Sequence, residues 1–124
     1  MTPSRNRRPI VLVVEDDFLI RSHAAEMIAD AGYDVVEAGT ADEAISILQV
    51  RPDIHVIFTD IQMPGSMDGL KLAHFVRGRW PQIKIIATSG HFRLQDGDLP
   101  DGGIFVPKPY TFDRVSSVLR ELTA

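Results

Sequence analysis

The sequence predicts an α/β protein, with a parallel sheet of five strands held between two layers of helices. Three observations carry that prediction. Short apolar runs recur along the chain, stretches of helical period separate them, and polar residues collect where the runs end. Single helices between strands imply parallel pairing through right-handed crossovers, and hence a three-layer sandwich.

Ile10-Val-Leu-Val-Val14 is continuous and β-branched, as expected of a strand buried on both faces. Phe18 to Ala31 follows with apolar residues at Leu19, Ile20, Ala24, Met27, Ile28 and Ala31, a helical spacing closed by Gly32. Tyr33 to Ala38 reads as a second strand. Thr40-Ala-Asp-Glu43 is a capping box that opens a helix through Val50, ended by Pro52. Ile54 to Thr59 is a third strand, and a Pro/Gly-rich loop leads to a helix from about Asp68 to Arg79 that stops before Pro81. Ile83 to Ala87 gives a fourth strand and Ile104-Phe-Val106 a fifth. Thr111 caps a last helix whose stripe is Phe112, Val115, Val118, Leu119 and Leu122. Such a series fits the flavodoxin-like strand order 2-1-3-4-5, which puts the functional site at the carboxyl ends of strands 1 and 3. One segment breaks the rhythm. Gly90 to Gly103 is rich in glycine and aspartate and favours turns, so the helix after the fourth strand is expected to be short, irregular or absent.

The chain has 124 residues, enough for one domain, with 44% hydrophobic and 24% charged residues. A net charge of −4 gives no electrostatic footprint for nucleic acid. The absence of cysteine removes disulfides, thiolate metal sites and cysteine nucleophiles. Apolar runs fall far short of the roughly 20 residues of a membrane-spanning helix. Residues 1–9 carry Arg5, Arg7 and Arg8 without an apolar core, so they read as a solvated tail rather than a secretory signal, ahead of a domain over 10–124. The expected compartment is the cytoplasm.

Polar residues collect where the topology rule points. Strand 1 ends in Glu15-Asp16-Asp17, strand 3 in Asp60 and strand 4 in Thr88-Ser89-Gly90, while Lys108 stands between two prolines after strand 5. Read singly, each has a bland explanation: a solvated acidic loop capping a helix, a turn residue, a surface lysine. Together they do not. Carboxylates converging on one pocket cannot all stay ionised without a cation, and oxygen-rich ligation favours Mg²⁺ or Mn²⁺. A lysine opposite them suits a phosphoryl oxygen, a small hydroxyl can donate to another, and an aspartate at the centre can become an acyl phosphate. Thr88 and Ser89 alternate along a strand, so only one of them can face this site.

The stretches Val11-Leu-Val-Val-Glu-Asp-Asp17, Phe58-Thr-Asp-Ile-Gln-Met-Pro64 with Met67-Asp-Gly69, Ala87-Thr-Ser-Gly90 and Val106-Pro-Lys-Pro109 resemble the motifs of response-regulator receiver domains, from about Pro9 to Leu122. The resemblance implies Asp60 as phospho-acceptor and metal ligand. It implies Asp16 as a direct ligand, Glu15 acting through water, and Gln62 offering its backbone carbonyl. Ser89 matches the switch hydroxyl, because a small residue follows it, and Lys108 the phosphate-contacting lysine, with a cis link to Pro109. Phe105 matches the switch aromatic. Asp17 and Asp68 read as helix caps, and His23, His55 and His74 show no metal-ligand spacing; His91 reads as an exposed loop histidine, two positions past Ser89 and so close enough to bear on water access to the site.

The implied function is a stand-alone receiver taking its phosphoryl group from a histidine kinase or histidine phosphotransfer protein, as a switch, relay or sink. The loop from Met63 to Gly69 holds one residue more than the family's commonest spacing. The weak helix after strand 4 suggests an output surface on the first and last helices. Three other readings fail on particular residues. A haloacid-dehalogenase-type phosphatase wants aspartate where Gln62 stands. A degenerate receiver would lack the acidic pair, the acceptor or the lysine. A nucleotide binder would carry a Gly-rich loop after strand 1.

Overall fold

The computed structural model describes residues 8–62, 68–90 and 98–124. The elements run β1 (Ile10–Val14), α1 (Phe18–Asp30), β2 (Asp34–Ala38), α2 (Ala41–Val50), β3 (Ile54–Asp60), α3 (Gly69–Arg79), β4 (Lys84–Ser89), β5 (Ile104–Pro107) and α4 (Phe112–Leu122). The five strands pair in parallel in the order β2-β1-β3-β4-β5. This is the expected doubly wound sheet. β4 runs through Thr88 and Ser89, so both lie inside the strand rather than beyond it.

Each helix starts on a side-chain cap. Asp17 accepts from the amides of Leu19 and Ile20, Asp68 from Lys71, and Thr111 from Arg114, satisfying N–H groups that the first turn leaves unpaired. Thr40 accepts from the Glu43 amide, and Glu43 reaches back to the Gly39 amide at 2.6 Å, one residue earlier than a capping box requires. Among the described residues no helix lies between β4 and β5, and residues 91–97, with His91, lie outside them. The tail over 1–7 and the loop over 63–67 lie outside as well.

Strand alternation divides the core in two. Leu12, Val14, Ile57 and Ile85 pack under α2 and α3, while Val11, Val13, Val56, Phe58, Ile86 and Val106 pack under α1 and α4. These ten side chains are almost wholly withdrawn from water, which is the main source of stability. Two of the expected apolar stripes are shorter than their sequence suggests. Leu19 and Ile20 open α1 but remain 76% and 39% exposed, because the first turn stands at the end of the sheet with no strand beneath it. Phe112 is likewise exposed at the start of α4, which buries Val115, Val118 and Leu119 instead.

Candidate functional site

The ends of β1, β3 and β5 bring Glu15, Asp60 and Lys108 together. Glu15 is fixed as a continuation of β1, its amide bonded to the Ala38 carbonyl and its carbonyl accepting from Arg21 Nη1. Asp60 is the last residue of β3. Beyond β5 the Lys108 amide donates to the Ser89 carbonyl at 3.0 Å, and the Lys108–Pro109 peptide is cis, as the resemblance implied. From there Lys108 Nζ donates to Glu15 Oε1 at 2.9 Å and to Asp60 Oδ2 at 3.0 Å. The Gln62 amide donates to Asp60 Oδ1 at 3.1 Å.

Glu15 and Asp60 are buried, whereas Asp16 is exposed. Burial above all, with the neighbouring Asp60 and Asp16, pushes the Glu15 carboxyl up to about 7 against the downward pull of bonds from Lys108 and the Asp17 amide. Burial alone would lower the Lys108 ammonium, but its bonds to Glu15 and Asp60 outweigh that and hold it above its usual value. One carboxylate oxygen from each of Glu15, Asp16 and Asp60 can lie within 4.8 Å of the others. An all-oxygen set of this size suits a hard divalent cation, and it already holds an ammonium between two of its members.

Several features of the site were not read from the sequence as functional. Gly69 starts α3 so close to the end of β3 that a Cβ there would fall 1.7 Å from the Asp60 carbonyl oxygen. Its amide donates to the Ile61 carbonyl at 2.8 Å, which locks the helix onto the end of β3. The register sets Thr88 directly beside Asp60, and Ile86, two residues earlier, belongs to the α1/α4 core with Phe58. Thr88 and Asp60 therefore share one face. Ser89 and Phe105 point to the other, Ser89 buried and Phe105 half-buried. An open hollow of about 580 Å³ lies beside the site, lined by Leu19, Ile20, His23, Lys108, Pro109 and Tyr110. Tyr110 stands edge-on to Phe58, and burial raises its hydroxyl above its usual value. His55 and His74 serve the scaffold: His55 Nδ1 accepts from the Ile10 amide, and His74 bonds the Asp98 carbonyl.

Residues 11–119 match the family model of the response regulator receiver domain. Among curated proteins, the sensor kinase CckA of Brucella abortus (strain 2308) is 30% identical over 118 residues, covering 90% of this chain and 12% of the kinase. The nitrogen assimilation regulatory protein NtrX of Azorhizobium caulinodans is 30% identical over 109 residues, covering 85% of this chain and 24% of that protein. The chain thus spans only a fraction of these relatives. A crystal structure of a response regulator receiver protein from Sinorhizobium medicae WSM419 superposes with a TM-score of 0.83 at 26% identity, covering 93% of this chain and 94% of that one. The receiver domain of the hybrid histidine kinase CckA gives 0.78 at 28% identity, covering 93% and 99%.

Proposed function

The chain belongs to the response regulator receiver domain family, and on that premise we propose that it is a phosphorylation switch of a two-component or relay pathway, with Asp60 accepting the phosphoryl group. The observation that carries the reading is the single ammonium of Lys108 bonded to both Glu15 and Asp60 at the carboxyl end of the sheet. It marks a place where negative charge is gathered and held, and a phosphoryl group in transit needs cations at that place.

Mg²⁺, with Mn²⁺ as substitute, is the cation that Glu15, Asp16, Asp60 and the Gln62 backbone carbonyl would hold. When bound it would neutralise part of the charge on the phosphoryl oxygens. The chain's own groups do the rest. An Asp60 carboxylate oxygen attacks phosphorus; the new O–P bond forms as the donor's N–P bond breaks, and the electron pair stays on the donor imidazole, which takes up a proton. Lys108 Nζ exchanges a carboxylate for a phosphoryl oxygen, and Ser89 donates to another from the end of β4. Phe105, on the face that Ser89 shares, is the aromatic whose ring would follow that movement.

The donor is a phosphohistidine on a histidine kinase or phosphotransfer protein. Exposed Phe18, Leu19 and Ile20 beside the hollow favour a protein surface over a small metabolite. No helix among the described residues is long and apolar enough to cross a membrane. Incubation with acetyl phosphate and Mg²⁺ should add one phosphoryl mass to the wild type and none to Asp60→Asn. The reading fails if no phosphodonor modifies the wild type, or if the variant is modified equally.

A further inference from the structure

Lys108 follows β5 and Asp60 ends β3, so the bond between them must cross the strand that separates the two, β4. The residues of β4 on the crossed face are known from the packing. Ile86 lies in the α1/α4 core, Thr88 follows two residues later on the same face, and a Cβ at Gly90 would touch the Lys108 stem, 3.7 Å from its Cβ and 3.9 Å from its Cδ. The register sets Thr88 between Asp60 on one side and Val106 on the other. Thr88 therefore lies beneath the ammonium–carboxylate bridge.

Its hydroxyl is the anomaly. Thr88 is 2% exposed, and its Oγ1 has no hydrogen-bond partner among the described residues. A buried hydroxyl without a partner is destabilising, and valine would fill the same space without that cost. The hydroxyl gains a partner only if an acceptor arrives. A phosphoryl group on the neighbouring Asp60 would bring several acceptor oxygens to that place.

We propose that Thr88 is a second hydroxyl donor of the acceptor site, hydrogen-bonding an oxygen of phospho-Asp60 in the loaded protein and left without a partner in the unloaded one. This rests on Asp60 being the acceptor. It adds to the role given to Ser89, which as the last residue of β4 would reach over the strand end from the opposite face, so the expectation that only one of the two hydroxyls serves the site gives way to two. Rotation about χ1 between staggered positions is enough to aim the hydroxyl at the incoming group.

The test uses beryllofluoride with Mg²⁺ as a phosphoryl mimic, titrated by amide chemical shifts, together with urea unfolding of the unloaded protein. Thr88→Val should bind the mimic about tenfold more weakly than wild type, the size expected for one lost hydrogen bond to a charged group. Its unloaded form should be at least as stable as wild type, because an unpaired buried hydroxyl has been removed. Thr88→Ser, which keeps the hydroxyl, should bind within about twofold of wild type. Equal binding by Thr88→Val and wild type would overturn the proposal, as would Thr88→Ser binding as weakly as Thr88→Val. If the wild type itself fails to respond, the acceptor reading falls and takes this inference with it.

Discussion

Two ion-paired clusters sit at opposite ends of the same sheet. Where β3 begins, Arg51 meets Asp53 in a fork, at 3.2 Å through Nε and 2.9 Å through Nη2, with side chains 39% and 50% exposed. At the other end, Lys108 meets Glu15 and Asp60, with side chains 21%, 6% and 9% exposed. The exposed pair has the better geometry, yet water solvates each partner nearly as well alone. The carboxylates also respond in opposite senses: the Arg51 bond lowers Asp53, whereas burial raises Glu15. Charge kept from water depends on its partner far more than charge in water does, and the Lys108 cluster is held by that dependence. The other end has only a surface contact.

The largest expected effect concerns how closely the site end is built. Gly69→Ala would put a methyl 1.7 Å from the Asp60 carbonyl oxygen and 2.6 Å from its carbon, so α3 must move away from Asp60. A loss of about 3 kcal/mol or more in urea unfolding is expected, since backbone cannot yield as a side-chain tip can. Gly78, in the same helix, is exposed, and a methyl added there would meet nothing within 4 Å. Gly78→Ala should therefore stabilise by about 0.5–1 kcal/mol. Two alanines of opposite sign in one helix separate close approach from helix propensity, and a Gly69→Ala protein as stable as wild type would refute the contact.

The next effect is smaller and electrostatic. Lys108→Met keeps most of the stem over Gly90 but leaves Glu15 and Asp60 facing each other without their cation. Removing one partner of a buried pair is costly, and with water still reaching Lys108 a loss of about 2 kcal/mol is expected at neutral pH without divalent metal. Millimolar Mg²⁺ should restore part of that loss. An unchanged urea midpoint in metal-free buffer would show that the ammonium is not compensating the carboxylates.

Which of these features could be read beforehand follows a physical line. The strand order, the caps at Asp17, Asp68 and Thr111, and the gathering of Glu15, Asp16, Asp60 and Lys108 are local or topological. Apolar runs and cap residues stand in the sequence, and parallel crossovers put the strand ends on one side. Thr88 was not legible in the same way. Alternation said that Thr88 and Ser89 face apart, but which faces Asp60 depends on the β3–β4 register, which no single strand encodes. Gly69 stands in the sequence only as part of the Met67-Asp-Gly69 stretch at a helix start, and its close approach to the Asp60 backbone appears only in three dimensions. Leu19 and Ile20 followed a helical stripe, yet the sheet ends before it reaches them.

The smallest effect tests the exposed end. Asp53→Asn removes a carboxylate that makes two hydrogen bonds to Arg51, more than Asp60 makes to Lys108. Counting contacts would rank it the more harmful change. Solvent access ranks it last, because both partners stay hydrated in the variant and salt already screens their attraction. The urea midpoint of Asp53→Asn should match wild type within error, at low salt and at 0.5 M NaCl alike, where the Debye length is under about 5 Å. A clear, salt-sensitive loss would mean that geometry, rather than exclusion of water, sets the strength of ion pairs in this protein, and the distinction drawn between the two ends of the sheet would fail.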